Sequence, residues 1–176
     1  MVNYFELYGF HVMSFHPDTV KVKTRFYELS KQFHPDRFTQ LGPEAMDEAL
    51  KMSALNNEAY KILKDPYATM KYILRYHELL EEEEKYNLPA DFLLEMMELN
   101  ELVSECEMEP DQNKKQEAVG SWQLQMNALE SELGPLTNRY DDGDHSPELL
   151  QQIKELYFKK KYLLRIQERI TKFAAS

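Results

Sequence analysis

The chain has 176 residues, of which 43% are apolar and 30% charged, and its formal net charge is −10. This balance excludes a disordered chain, and no apolar stretch is long enough to span a bilayer. The acidic charge argues against nucleic acid as the main partner, because phosphate binding needs clustered Lys and Arg. The single cysteine excludes a disulfide framework and a Cys-x-x-Cys metal site.

The first residues lack the basic region and apolar stretch of a secretory signal, so we expect a cytoplasmic protein in a reducing compartment. Five glycines and few alternating apolar patterns predict an all-α fold. A short helix is predicted from Tyr4 to Tyr8, ended by Gly9. A second follows from Thr19 to Phe33, where the Asp18 carboxylate can cap its first turn. Its apolar face comprises Val22, Phe26, Leu29 and Phe33.

Pro35 forbids continuation of the second helix and pushes His34 towards an extended backbone. A third helix is predicted from Pro43 to Lys64 and a fourth from Tyr67 to Tyr76. The fourth helix has Met70, Ile73 and Leu74 on one side. The third has a partly small face suited to close packing, made of Met46, Ala49, Leu50, Ser53, Ala54, Asn57, Tyr60 and Ile62.

Three further helices with short connections predict a bundle in the second half. They run from about Pro89 to Glu107, from Asp111 to Leu133 with a stop at Gly134-Pro135, and from Ser146 to about Phe173. The acidic run Glu81 to Glu84 favours solvent. We therefore predict an N-terminal domain over 1–76, an acidic linker over 77–87 and a C-terminal three-helix domain over 88–176.

The predicted second helix is locally basic, with Lys21, Lys23, Arg25 and Lys31 against the single acid Glu28. It is followed by the triplet His34-Pro35-Asp36 in a predicted interhelical loop. A second copy, His16-Pro17-Asp18, precedes the helix, where Pro and Asp are ordinary helix-start residues. The triplet alone is a weak signal; the basic helix before it and the run Leu55 to Pro66 after it make it specific.

This extended pattern resembles J-domains, which trigger ATP hydrolysis in DnaK-type heat-shock chaperones. The resemblance implies that the loop and the basic helix dock on the chaperone ATPase. The implied contact residues are His34, Pro35, Asp36, Lys21, Arg25, Lys31 and Arg37. The alternative is that the triplet is only a helix stop and a turn.

Four stretches resemble the HscB-type (Jac1-like) co-chaperones: Asn3 to Gly9, Phe33 to Phe38, Tyr72 to Leu74 and Leu88 to Leu99. The resemblance covers nearly the whole chain. It implies a J-domain followed by a three-helix bundle, and a role in delivering the iron–sulfur scaffold IscU to the chaperone HscA. The chain departs from the family pattern between Met13 and Pro17 and at Glu78.

The helix from Pro89 to Glu107 has two apolar faces. At 100° per residue, its core stripe comprises Phe92, Met96, Leu99, Leu102, Val103 and Cys106. The opposite arc holds Leu93, Leu94, Met97, Glu98, Glu101 and Glu105. A bundle helix needs one buried stripe, so the second face is a candidate interface, or else it packs on the J-domain or linker. The family resemblance assigns this face to scaffold binding and adds Phe158 on the last helix.

Other chemistry is poorly supported. The histidines never fall into His-Glu-x-x-His spacing, the turn Asp141 to Asp144 fails the calcium-loop pattern, and Cys106 lies on the core stripe. We predict no metal, no cofactor, no enzymatic activity and a monomer. Two rival hypotheses stay open: a J-domain adaptor for a different client, and an enzyme with an active site between the halves.

Overall fold

The chain divides into two units, Met1–Leu80 and Glu81–Ser176. The computed structural model describes residues 2–81, 84–109 and 111–174, and every regular element among them is helical. The predicted linker, 77–87, straddles the division, and its residues 82 and 83 lie outside the described residues. Within the described part of the chain, none of the helices has the length and apolar character needed to cross a membrane.

The first unit is a helical hairpin with two short flanking helices. Its longer helices α2 and α3 pack on each other, and α4 packs on α3. The Phe26 and Tyr60 rings stack across the hairpin with their centroids 4.1 Å apart. The elements are α1 (Tyr4–Leu7), α2 (Thr19–Gln32), a 3₁₀ turn (Pro35–Arg37), α3 (Pro43–Leu63) and α4 (Pro66–Tyr76).

Side-chain caps fix where these helices begin. The Asp18 carboxylate accepts hydrogen bonds from the Val20 and Lys21 amides at 2.8 and 3.0 Å, as predicted for the start of α2. The Asp65 carboxylate accepts from the Ala68 amide at 2.6 Å, and Pro66 takes the first position of α4.

The buried face of α3 differs from the prediction. Leu50, Ala54 and Asn57 are exposed, whereas Asn56 is buried. The Asn56 side-chain amide donates to the Phe26 carbonyl at 3.1 Å and to Ser30 Oγ at 3.0 Å. It also accepts from the Tyr8 hydroxyl at 2.8 Å. Because these partners satisfy its amide, Asn56 can lie in the core. The buried face of α3 is therefore centred on Asn56 and not on the predicted residues. The fully buried residues of α3 are Ala49, Asn56, Ala59 and Leu63.

The second unit is a three-helix bundle, as predicted. Its helices are α5 (Ala90–Met108), α6 (Gln112–Asp141) and α7 (Pro147–Ala174), and each packs on the other two. The Trp122 indole N–H of α6 donates to the Leu163 carbonyl of α7 at 2.8 Å, so the buried ring leaves no unpaired donor.

The predicted stop at Gly134-Pro135 is wrong, because α6 continues to Asp141. Pro135 has no N–H, so one backbone carbonyl of α6 lacks its helical donor. Because Pro135 is exposed, this carbonyl lies on the solvent side, where water can donate instead. The helix also gains from continuing, since Leu133, Thr137 and Tyr140 are buried on its inner side. The chain turns only after Asp141, where Gly143 adopts a φ of +105°.

Replacing Pro135 with alanine should raise the unfolding free energy of the second unit by about 1–3 kcal/mol, because it restores a helical hydrogen bond and removes a clash. Urea denaturation measures this. Pro147→Ala is the matched control, since proline costs little in the first turn of α7. Equal effects of the two substitutions would contradict the prediction.

Candidate functional site

The His34 loop forms a solvent-facing turn between α2 and α3. His34 has an extended backbone (φ −65°, ψ 126°), as the following proline requires, and the turn spans Pro35–Arg37. The Arg37 guanidinium donates to the Lys31 carbonyl at 3.0 Å, which ties the turn to the end of α2. The side chains of His34 and Asp36 are 58% and 86% exposed, so an imidazole and a carboxylate are available to a partner.

The second triplet has a different role. In His16-Pro17-Asp18 the aspartate is the cap of α2, and its carboxylate is engaged with the backbone amides of the first turn. The two copies of the tripeptide therefore differ as the sequence analysis predicted: one begins a helix and the other forms an exposed loop.

The predicted basic contact residues do not form a single cluster. Lys31, His34 and Arg37 line one groove at the end of α2, together with Tyr27. The acid Glu28 also lines this groove, and it pairs with Arg25 at 2.9 Å.

Lys21 lies at the other end of α2. Its ammonium donates to the Gly9 carbonyl at 2.6 Å and lies 4.3 Å from the centroid of the Phe10 ring. The groove thus gathers the loop and two of the predicted cations, while Lys21 holds the segment after α1.

The two faces of α5 are confirmed. Phe92, Met96 and Val103 are buried against α6 and α7, and Leu102 is half-buried. On the opposite side Leu93, Leu94 and Met97 are 39%, 63% and 58% exposed. The carboxylates of this outer face, on Glu98, Glu101 and Glu105, belong to exposed residues.

One further member of this face, Met108, was not predicted; it is 78% exposed. It shares a shallow groove with Met97, Glu101 and Glu105. Its helical angle falls in the same arc, so the pattern could have included it had the helix been extended by one residue. The outer face therefore has an apolar residue at each end of its acidic segment.

Arg169 of α7 fixes α5 in place. Its guanidinium donates to Asn100 Oδ1 at 2.8 Å, to Ser104 Oγ at 3.0 Å and to the Glu107 carboxylate at 2.9 Å. The hydrogen bond from Arg169 lowers the pKa of Glu107 below its usual value. These contacts join α5, which carries the outer face, to α7.

Phe158 is 7% exposed and lies beneath the segment before α5. Its ring stacks on Tyr86 with centroids 4.5 Å apart and planes 2° apart. Phe158 and Leu93 line the same cavity of about 700 Å³, so the structure brings these two predicted residues together. Phe158 thus faces a partner from the wall of a cavity, whereas Leu94 and Met97 lie on the open surface.

Neither a reactive thiol nor a metal-binding cluster is found among the described residues. Cys106 is buried, and burial raises the pKa of its thiol above the ordinary value, as predicted for a core position. Among the described residues, no group of three or more His, Cys, Asp or Glu side chains could hold a metal ion.

Comparison with known proteins relates the chain to one family of co-chaperones. Residues 88–171 match the family model described as the HSCB C-terminal oligomerisation domain. The human iron-sulfur cluster co-chaperone protein HscB is 30% identical over 158 residues, which is 89% of this chain and 63% of the relative. The co-chaperone protein HscB homolog of Shewanella halifaxensis is 27% identical over 97% of this chain and 96% of its own length. Residues 88–171 therefore belong to the HscB C-terminal domain family, and the chain as a whole is similar to HscB co-chaperones.

Solved structures agree with this assignment. The crystal structure of human HscB matches with a TM-score of 0.79 and 27% identity, covering 97% of this chain and 81% of that one. The HscB of Vibrio cholerae, at 23% identity, matches in fold with a TM-score of 0.74. The predicted fold class, a J-domain followed by a three-helix bundle, is confirmed. The chain spans 63% of the length of its human and mouse HscB relatives.

Proposed function

We propose that this protein is a co-chaperone that stimulates the ATPase of an HscA/DnaK-type chaperone and delivers an IscU-type scaffold to it in iron–sulfur cluster biogenesis. One observation carries the proposal: the chain has two chemically different exposed surfaces on two separate units. The His34 loop and the groove that Lys31 and Arg37 help to line are on the first unit, and the outer face of α5 is on the second. The names of the human and mouse relatives, iron-sulfur cluster co-chaperones, support it.

The first surface suits a polar, acidic partner. His34 and Asp36 are exposed on a turn that Pro35 and the Arg37–Lys31 hydrogen bond hold in one conformation. The cations of α2 and the turn favour an acidic surface of the chaperone ATPase and speed the encounter, although the whole chain is acidic. We propose His34, Pro35, Asp36, Lys21, Arg25, Lys31 and Arg37 as the chaperone contacts.

The second surface suits an apolar patch bordered by Lys or Arg. Leu93, Leu94 and Met97 form its centre, and the carboxylates of α5 lie beside them. We propose Leu93, Leu94, Met97, Glu98, Glu101, Glu105 and Phe158 as scaffold contacts, with Met108 added. One of these acids is already paired within the protein: Lys114 binds Glu105 at 2.8 Å and competes with a partner there.

The co-chaperone needs no active site of its own. Its effect on ATP hydrolysis comes from differential binding, which shifts the chaperone towards its hydrolysis-competent state. We propose that it acts as a monomer in the cytoplasm, where the lone buried thiol of Cys106 fits a reducing compartment.

The second candidate function is a J-domain adaptor for a different client. The two surfaces belong to different units, so the first can act on a chaperone whichever client protein the second binds. This observation favours the adaptor as the second candidate. In that case chaperone stimulation persists and IscU does not bind.

Single-turnover ATP hydrolysis by HscA tests the proposal. The rate is measured for HscA alone, with this protein, and with this protein plus IscU. We expect stimulation by the protein and further stimulation when IscU is added. Stimulation indifferent to IscU would leave the adaptor function, and no stimulation by a folded protein would overturn both.

A further inference from the structure

The cavity that holds Phe158 and Leu93 is lined by three cations, Lys85, Lys161 and Arg165, and is here named the cationic cleft. It lies within the second unit, between the segment 84–88 and α7. Lys85 and Arg165 are exposed and Lys161 is half-buried, so all three can reach a ligand. None of them belongs to the surfaces described so far.

The charge of the cleft is not neutralised by the described residues. Along α7, Lys154 pairs with Glu84 at 2.6 Å, Lys159 with Glu155 at 2.9 Å and Lys160 with Glu130 at 2.5 Å. Within the described ranges, no ion pair involves a cation of the cleft. The acid in its lining, Glu84, is already held by Lys154. In a chain of net charge −10, three cations left over around one cavity point to an anionic ligand.

The inner wall of the cleft is apolar. Phe158 forms part of it, backed by the Tyr86 stack, and Leu93 and Tyr162 line it as well. The Lys161 ammonium lies 5.7 Å from the centroid of the Phe158 ring, at the boundary between cationic and aromatic surface. Leu93 is 39% exposed and belongs both to this wall and to the outer face of α5. The cleft is therefore continuous with the proposed scaffold surface.

We propose that the cationic cleft binds a carboxylate side chain, Asp or Glu, of the scaffold protein, next to the scaffold residue that packs on Leu93. This inference rests on the proposed scaffold-binding function and adds a second, oppositely charged half to that surface. The acids of α5 would meet basic groups of the partner, and the cleft would meet an acid. Such a bipolar arrangement fixes the orientation of the partner and rejects the reversed one.

A protein carboxylate fits better than an anionic membrane. The cleft is concave with an aromatic wall, whereas the exposed Glu98, Glu101 and Glu105 of the neighbouring face would repel an anionic bilayer. A side chain carried on an apolar partner surface matches both the charge and the wall.

The test compares two double variants in calorimetric titration with IscU. Lys161→Gln/Arg165→Gln removes two cleft charges. Gln151→Glu/Gln152→Glu lowers the net charge by the same amount at two exposed positions of α7 outside the cleft lining. We expect the cleft variant to raise the Kd about tenfold and to flatten its salt dependence, with the control unchanged. Lys161→Arg/Arg165→Lys, which keeps both charges, should bind nearly as the wild type does.

The outcomes are separable. If IscU binds the wild type and both variants alike, the cleft proposal is wrong and the proposed function stands. If the control loses as much affinity as the cleft variant, overall charge is responsible and the cleft proposal is also wrong. If IscU does not bind the wild type, the scaffold function fails and this inference fails with it. If anionic phosphatidylglycerol vesicles bind and the binding depends on Lys161 and Arg165, the ligand of the cleft is a membrane and the carboxylate proposal is wrong.

Discussion

Replacing His34 with glutamine should remove most of the stimulation of the HscA ATPase, at least about tenfold, which corresponds to about 1.4 kcal/mol of differential binding. The imidazole is 58% exposed, and its Nδ1 makes two long contacts with Asp36, at 3.4 Å to the amide and at 3.6 Å to the carboxylate. The folded unit therefore loses little when it is replaced, and unfolding should change by less than about 0.5 kcal/mol. The loss would come from the contact that the loop makes with the chaperone.

The chain supplies its own control in His16→Gln. It makes the same substitution in the same tripeptide, on an exposed residue of the same unit, but at the start of α2. Single-turnover hydrolysis by HscA should respond to His34→Gln and not to His16→Gln, while thermal melting shows both variants folded. Full stimulation by the His34 variant would show that His34 makes no contact needed for stimulation and that the loop only connects two helices.

Helix existence and type could be predicted because local rules decide them. The Asp18 carboxylate precedes a helical run and caps it, and the two faces of α5 follow from an angle of 100° per residue. The exposure of Leu94 and Met97 was visible in the sequence for the same reason: a bundle helix has room for one buried stripe.

The errors arise where tertiary context overrides a local rule. Gly134-Pro135 is a sound helix stop by propensity, but the inward side of α6 buries Leu133 and Thr137 on either side of it. Asn56 would be assigned to a polar face, yet Tyr8 lies 48 residues away in sequence and supplies the donor that lets it stay buried. The helices that bury Leu133 and Thr137, and the Tyr8 hydroxyl that binds Asn56, both lie outside a window of neighbouring residues.

The same limit applies to the cationic cleft. Lys85 and Arg165 are 80 positions apart, and only the packing of the segment before α5 on α7 brings them to one cavity. Phe158 could be named from family resemblance, but its stacking beneath Tyr86 depends on that packing too. Surface composition along one helix is predictable, whereas a site assembled from two segments needs the fold.

Leu93→Ala combined with Met97→Ala should weaken IscU binding by about 1–4 kcal/mol, as expected for apolar anchors at the centre of an interface. Both side chains are well exposed in the free protein, at 39% and 58%, so their truncation leaves the buried stripe of α5 intact. The bundle should therefore unfold at nearly the wild-type temperature, and the loss should appear as an increase in Kd by titration calorimetry.

Val119→Ala combined with Leu124→Ala is the matched control for this variant. Both residues are exposed apolar side chains of the same unit, at 41% and 70%, but they belong to α6. If apolar surface in general drove association, the two double variants would weaken binding alike. Loss of affinity confined to the α5 variant, with His34-dependent stimulation by the protein alone unchanged, would separate the scaffold surface from the chaperone surface. Unchanged binding by the α5 variant would exclude its outer face as the scaffold site.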